Sequence, residues 1–155
     1  MPKYRLLSLD ELSNLEKEFI EYLVLNGITK DDWEQLKLNE SEKTKEIIEL
    51  FSDVVFEGIM RKAKYLVKID KTSIYAFKCN ESVIELATIE TKSSELDFTT
   101  EKGQEQLRSN PPEDLKGFKA SKSYENTRET ELFKMIQNGC SITDNQWYDA
   151  LVKVI

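Results

Sequence analysis

The chain has 155 residues, of which 39% are apolar and 33% are charged, and its formal net charge is −7; this apolar content is too high for a disordered chain, and the length predicts a single domain over residues 1–155. The excess of acidic side chains repels phosphate backbones and anionic membrane surfaces, so nucleic acid is a poor first expectation for a partner. Because the chain has no histidine, it lacks Ser-His and Cys-His pairs and imidazole metal ligands, and any catalysis would rest on carboxylate, Lys, Tyr or Cys side chains.

The first helix begins with a pattern that satisfies its own N-terminus. Ser8 is placed to cap the helix, and Glu11, at the third helical position, can reach back to the backbone N–H of Ser8. Apolar residues then recur at spacings of three and four from Leu12 to Leu23, and the predicted helix ends at Asn26. Gly27 can adopt the left-handed conformation that commonly ends a helix.

A second capping pattern follows directly. Thr29 is placed as the cap and Asp32 lies at the third helical position, with Ile28 positioned to pack on Trp33. This predicts a short helix. The segment after it carries a broad apolar face at helical spacing, which predicts a long helix.

From residue 64 the periodicity becomes that of strands. Three segments rich in β-branched and aromatic residues are separated by short polar breaks, which predicts a three-stranded antiparallel meander. Such a sheet needs one covered face, and the helices before and after it in sequence are the available cover.

Residues 91–124 have the weakest pattern in the chain. Ser, Thr, Lys and Glu dominate, Pro111 and Pro112 interrupt, and Gly103 weakens a short helix that the segment 101–108 could form. We expect irregular structure here. Whether the segment is partly helical, mobile or functional stays open at this level.

A short sequence motif, I-T-x-x-x-W, occurs twice, at 28–33 and 142–147, each time after an Asn-Gly pair. We interpret both copies as helix starts in which the Thr is the cap and the Ile packs on the Trp. In the alternative interpretation Trp33 and Trp147 are matched aromatic residues that recognise a partner. The repeat is compatible with duplication and with convergence on one capping device.

Together these patterns predict an α+β fold with an N-terminal helical hairpin plus a long helix, a three-stranded antiparallel meander and a C-terminal helical hairpin. The predicted helices cover about 9–26, 30–38, 41–62, 125–138 and 143–155, the predicted strands cover about 64–70, 73–79 and 82–90, and 91–124 is predicted irregular.

The predicted long helix carries a row of carboxylates that fall within about 80° of one another at 100° per residue. The row consists of Glu42, Glu46, Glu49, Asp53 and Glu57. Because it lies opposite the apolar face, we interpret it first as a solvated helix surface, and next as a surface that binds a partner.

A basic run in the weakly patterned segment interleaves lysines with aromatic residues in what we expect to be a loop. Its members are Lys116, Phe118, Lys119, Lys122 and Tyr124. Charge and stacking of this kind can bind single-stranded nucleic acid, but no phosphate loop or nucleic-acid-binding motif accompanies it. We favour a surface loop pinned by its two aromatic residues.

The two cysteines, Cys79 and Cys140, form no C-x-x-C motif, and without histidine ligands a zinc site is not expected. No segment approaches the roughly 20 apolar residues of a membrane span, and the chain does not open like an export signal. We expect reduced, buried thiols in a cytoplasmic protein that needs no metal or other cofactor and contacts no membrane.

Several segments resemble an uncharacterised family of small Bacteroidota proteins, known as a domain of unknown function. They are 4–12, 15–20, 27–33 and 50–55, of sequences YRLLSLDEL, LEKEFI, GITKDDW and LFSDVV. The resemblance extends over most of the chain. It implies a bacterial cytoplasmic protein and supplies neither an activity nor site residues.

The expected function is a non-enzymatic interaction module in which the acidic N-terminal half, or the aromatic ends of the hairpins, binds a protein partner or a second copy of the chain. The alternative is an enzyme that uses carboxylates such as Glu46, Glu49 and Asp53, with or without a divalent cation, or a Cys nucleophile. A further alternative is contact with RNA or the ribosome through Lys116 to Lys122.

Overall fold

A computed structural model describes residues 1–155 and has a mixed α+β architecture, as the sequence predicts. The chain divides into two compact units, unit 1 over Met1–Ile59 and unit 2 over Met60–Ile155. The expectation that the whole chain folds as one domain stays a prediction.

Seven helices and five strands make up the chain. In order they are α1 (Leu9–Asn14), α2 (Glu16–Leu25), α3 (Lys30–Asn39), α4 (Ser41–Lys62), β1 (Tyr65–Ile69), β2 (Ser73–Cys79), β3 (Val83–Glu90), α5 (Glu101–Ser109), β4 (Lys116–Ser123), α6 (Arg128–Gln137), β5 (Ser141–Thr143) and α7 (Gln146–Val154).

Both capping patterns in unit 1 form as predicted. The Ser8 hydroxyl accepts the N–H of Glu11, and the Glu11 carboxylate accepts the N–H of Ser8; Thr29 and Asp32 make the same pair of hydrogen bonds at the start of α3. Gly27 has φ +75°, the left-handed conformation expected of it. These local devices fix where α1 and α3 begin.

The single helix predicted over 9–26 is wrong in one respect, because it is interrupted at Leu15, where the backbone takes φ −106° and ψ 21°. No Gly or Pro marks this break in the sequence. Trp33 packs edge-on against Phe19, with ring centroids 5.1 Å apart, and Phe19 in turn lies 4.9 Å from Phe51. An aromatic cluster thus joins α2, α3 and α4 within unit 1.

Unit 2 is built on a five-stranded antiparallel sheet with the order β4-β3-β2-β1-β5. The predicted meander is its centre. The two strands that the sequence did not predict are the two edges, β4 and β5.

Opposite faces of this sheet carry different side chains because residues alternate along each strand. One face contributes Val67, Ile74 and Ala76 to a buried core that also takes Phe98 and Leu151. The other face carries the fully buried Leu66 and lies against α6, whose Leu132 is also fully buried.

The prediction of irregular structure over 91–124 is wrong, because the segment contains α5 and β4 and is anchored by Phe98, which is fully buried. Gly103, which disfavours a helix by propensity, lies in α5 at a point of close backbone approach. A Cβ there would stand 1.8 Å from the carbonyl oxygen of Asp97. The tertiary contact therefore requires the residue that the propensity scale penalises.

In the second copy of the I-T-x-x-x-W motif, Thr143 does not cap a helix, so that prediction is wrong. Ile142 and Thr143 lie in β5, where Ile142 pairs with Leu66 of β1. The helix begins at Gln146 instead of residue 143, and its N-cap Asn145 makes no side-chain capping bond. Access to the edge of β1 overrides a local capping pattern that works at Thr29.

Candidate interaction surface

The N-terminal segment, residues 1–7, binds to part of the acidic row on α4. Asp53 accepts two backbone hydrogen bonds through its two carboxylate oxygens, from the N–H of Lys3 at 2.8 Å and from the N–H of Tyr4 at 3.0 Å. Glu57 accepts from the Lys3 ammonium at 3.2 Å and from the Tyr4 hydroxyl. These two carboxylates hold the segment in place.

The same segment is held at its ends as well. The N-terminal ammonium lies 3.5 Å from Glu49, and the N–H of Leu7 donates to the hydroxyl of the fully buried Ser52 at 3.1 Å. The other two members of the predicted row, Glu42 and Glu46, are exposed and are not paired with this segment. The row is therefore not one continuous open surface.

Arg5 links this segment to Glu11 of α1 through a bidentate ion pair. Its guanidinium donates to both carboxylate oxygens of Glu11, at 2.8 and 2.9 Å. This pairing and the hydrogen bond from the Ser8 N–H lower the pKa of Glu11 from 4.5 to about 2. Glu11 thus takes part both in the cap of α1 and, beside Asp53 and Glu57, in the fixation of the segment.

The basic run forms an edge strand, so the expectation of a loop is wrong. Lys116, Phe118, Lys119 and Lys122 belong to β4, which pairs with β3 along its whole length, from Glu90 opposite Lys116 to Val83 opposite Ser123. Every residue of β4 is exposed, and Phe118 keeps 55% of its surface accessible. The structure thus presents these side chains on a regular strand.

One lysine of β4 is tied to α6. The Lys122 ammonium lies 2.6 Å from the Glu131 carboxylate, which also accepts the N–H of Glu125 at 2.9 Å. Burial acts to raise the pKa of Glu131, but the hydrogen bonds from Lys122 and the backbone outweigh it, so the pKa is lowered; the pKa of Lys122 is raised by the same pairing. Both groups are charged at neutral pH.

Tyr124 follows β4 and has a structural contact. Its hydroxyl donates to the carbonyl oxygen of Asn80 at 2.8 Å. The pKa of Tyr124 is raised to about 12, mainly by burial. Of the two aromatic residues expected to pin this segment, Tyr124 does so, whereas the expectation for Phe118 is wrong because that side chain is exposed.

Arg128, which the sequence did not single out, is the main polar link in this part of unit 2. Its half-buried guanidinium donates to four backbone carbonyl oxygens from two chain segments, and they belong to Met60, Ala63, Cys79 and Asn80. No local pattern marks such a role, because the acceptors lie 48 to 68 positions away.

An apolar cavity of about 290 Å³ lies beside β4, on the sheet face that carries α6. The cross-strand row Phe77, Leu86 and Ala120 lies beneath it, and Met135 of α6 forms a wall. The ion pair of Lys122 with Glu131 stands at its edge. An exposed strand edge and a pocket large enough for an apolar side chain therefore occur together.

A family model matches the chain over residues 1–155. The chain belongs to the family of unknown function DUF6495. The expectation of a family without known function is thus confirmed. No curated protein and no solved structure matches the chain. Bacterial origin and cytoplasmic location stay predictions.

Three further findings concern the thiols, metal ligands and helices of this DUF6495 chain. Cys79 and Cys140 are buried free thiols; burial raises the pKa of Cys79 to about 12 and raises the pKa of Cys140 as well. No group of three or more Cys, Asp or Glu side chains is arranged to hold a metal ion. None of the helices has the length and apolar character needed to cross a membrane.

Proposed function

We propose that the chain is a non-enzymatic interaction module that binds an extended, acidic segment of a protein partner along the outer edge of β4. The observation that carries this proposal is that β4, an eight-residue edge strand, is exposed at every position.

The backbone supplies the first part of the argument. One edge of β4 pairs with β3, and no strand of the chain lies at the other. An edge strand presents a row of backbone N–H and C=O groups, and an incoming extended segment satisfies them by adding a strand to the sheet. The length of β4 allows a partner to pair over several residues.

Charge supplies the second part. β4 carries Lys116, Lys119 and Lys122 and no acidic residue, in a chain whose net charge is −7. Lysines on an edge strand also keep copies of a protein from pairing edge to edge. An antiparallel pair of β4 strands would bring three lysines from each copy together, so the charge favours an acidic partner over a second copy.

The cavity supplies the third part. In an added strand, alternate side chains point to the same face of the sheet, so one of them can lie over Ala120 of β4 and enter the cavity from that side. Main-chain pairing then gives affinity, while this pocket selects an apolar side chain. The preferred segment is extended and acidic, with one apolar residue between acidic ones.

Selection from a random-peptide display library tests the proposal. We expect recovered peptides to be acidic and to contain an apolar anchor, and the amides of β4 to gain protection from hydrogen exchange in the complex. In the double variant Lys116→Glu, Lys119→Glu, affinity for these peptides should fall about tenfold or more.

A matched control places the same charge change elsewhere, at exposed lysines of α2 and α4, in the variant Lys17→Glu, Lys43→Glu. This control should bind the peptides with less than a threefold loss, on the order expected for a remote charge change. Peptides that bind the β4 variant as well as the parent, or that protect other amides, would refute the proposal. Binding of a uridine oligonucleotide by the parent, lost only in the β4 variant, would replace it with the RNA alternative.

A further inference from the structure

A second cavity, of about 820 Å³, lies on the other side of the sheet, between α5, α7 and the segment that joins α5 to β4. Its size falls in the range of small-molecule sites. Its apolar lining includes Leu107, Pro111, Pro112, Leu115, Trp147 and Val154.

These apolar side chains are not closed off by the chain itself. Leu107, Leu115 and Trp147 are only half-buried, and Val154 keeps 65% of its surface accessible. Exposed apolar surface that is both concave and contiguous marks a ligand site more often than scattered exposed residues do. Thr143 does not cap α7, so a capping motif does not explain why Trp147 lies in this wall.

One cation stands over the aromatic wall of the cavity. The Arg108 guanidinium lies 6.0 Å from the centre of the Trp147 ring. The other charged groups of the lining are Lys153 and Asp149, and Asp149 accepts a hydrogen bond from the Asn145 amide at 2.6 Å. The lining thus carries two positive charges and one negative charge, in a chain that is acidic as a whole.

We propose that this cavity binds a small amphipathic carboxylate, with its apolar ring or chain against Trp147 and Leu107 and its carboxylate on the Arg108 guanidinium. The planar guanidinium matches a carboxylate with two parallel hydrogen bonds. A highly charged anion fits less well, because the lining is mainly apolar and Asp149 would repel it. The site is separate from β4, so either proposal can fail alone.

The indole N–H signal of Trp147 in a nitrogen-15 NMR spectrum provides a direct test. The chain has two tryptophans, so the variant Trp33→Phe leaves Trp147 as the single reporter. The probes are naphthalene-1-acetate and its neutral counterpart naphthalene-1-acetamide. We expect both to shift the signal saturably, and the carboxylate to bind about tenfold more tightly, as a charge-assisted hydrogen bond implies.

Arg108→Gln, made in the same background, should remove this tenfold preference and leave the affinity for the acetamide unchanged. Lys153→Gln removes a charge from the same lining and should lower carboxylate affinity by less than about threefold, since only Arg108 stands over the ring. Ala150→Phe, at an exposed position in the lining, should block both probes. The absence of a saturable shift at millimolar probe, or a preference that survives Arg108→Gln, would overturn the proposal.

Discussion

The carbonyl oxygen of Asp97 occupies the space that a Cβ on Gly103 would need, since the two would be 1.8 Å apart. Because this oxygen belongs to the backbone, a side-chain rotation cannot relieve the overlap. Gly103→Ala should therefore lower the free energy of unfolding by about 2–3 kcal/mol, as overpacking does. Urea denaturation followed by circular dichroism measures it.

Gly58 of α4 provides the matched control for this substitution. A Cβ at Gly58 meets nothing within 4 Å, so Gly58→Ala should raise the free energy of unfolding by about 0.5–1 kcal/mol through better helix propensity. Equal effects of the two substitutions would contradict the assignment of Gly103 to a close backbone contact.

The two threonines of the I-T-x-x-x-W copies should respond differently to substitution. Thr29 caps α3 through the N–H of Asp32, so Thr29→Ala should cost about 1 kcal/mol of stability. Thr143 lies in β5 and caps nothing, so Thr143→Val should change stability by less than about 0.5 kcal/mol. Thermal unfolding of both variants distinguishes them. A similar loss in both would restore the capping interpretation of the second copy.

Removal of the Arg128 guanidinium should be strongly destabilising. Arg128→Met removes this donor from four carbonyl oxygens, of which only that of Asn80 keeps the Tyr124 hydroxyl, and a loss of about 3 kcal/mol is expected from the buried acceptors left without it. Arg128→Lys should recover only part of the loss. The ammonium is still a donor, but it lacks the planar fork and cannot reach all four acceptors. Arg108→Met, at an exposed arginine, is the control and should leave the unfolding midpoint nearly unchanged.

Stability should depend on pH through Glu11. The pKa of this carboxyl is lowered from 4.5 to about 2 in the folded chain, so its contribution to stability is present above pH 4.5 and is lost as the pH falls towards 2. Urea midpoints measured across this range should fall more steeply for the parent than for Glu11→Gln. Parallel curves for the two proteins would show that Glu11 does not control the transition.

The elements that the sequence predicted best are those whose causes are local. Both capping boxes of unit 1 and the left-handed Gly27 involve residues within a few positions of one another, so the pattern contains the whole interaction. The break at Leu15 lacks any such local mark. The three central strands also show the period of a half-buried sheet.

The edge strands escaped prediction because non-local pairing creates them. All eight residues of β4 are exposed, so the strand has no apolar alternation to detect, and β5 forms because β1 offers an unpaired edge. For the candidate sites, the sequence identified the lysines of β4 and the carboxylates of α4 but not the groups with which they pair. Lys122 forms an ion pair with Glu131, and Asp53 accepts hydrogen bonds from the backbone N–H groups of Lys3 and Tyr4.

The burial of both native thiols simplifies chemical labelling of the intact chain. With the pKa of Cys79 at about 12 and that of Cys140 also raised, neither presents an accessible thiolate at neutral pH. A cysteine introduced at the exposed Ser121 should therefore react alone with a maleimide dye or spin label. The wild-type cysteines can remain, and the label reports directly on what approaches β4.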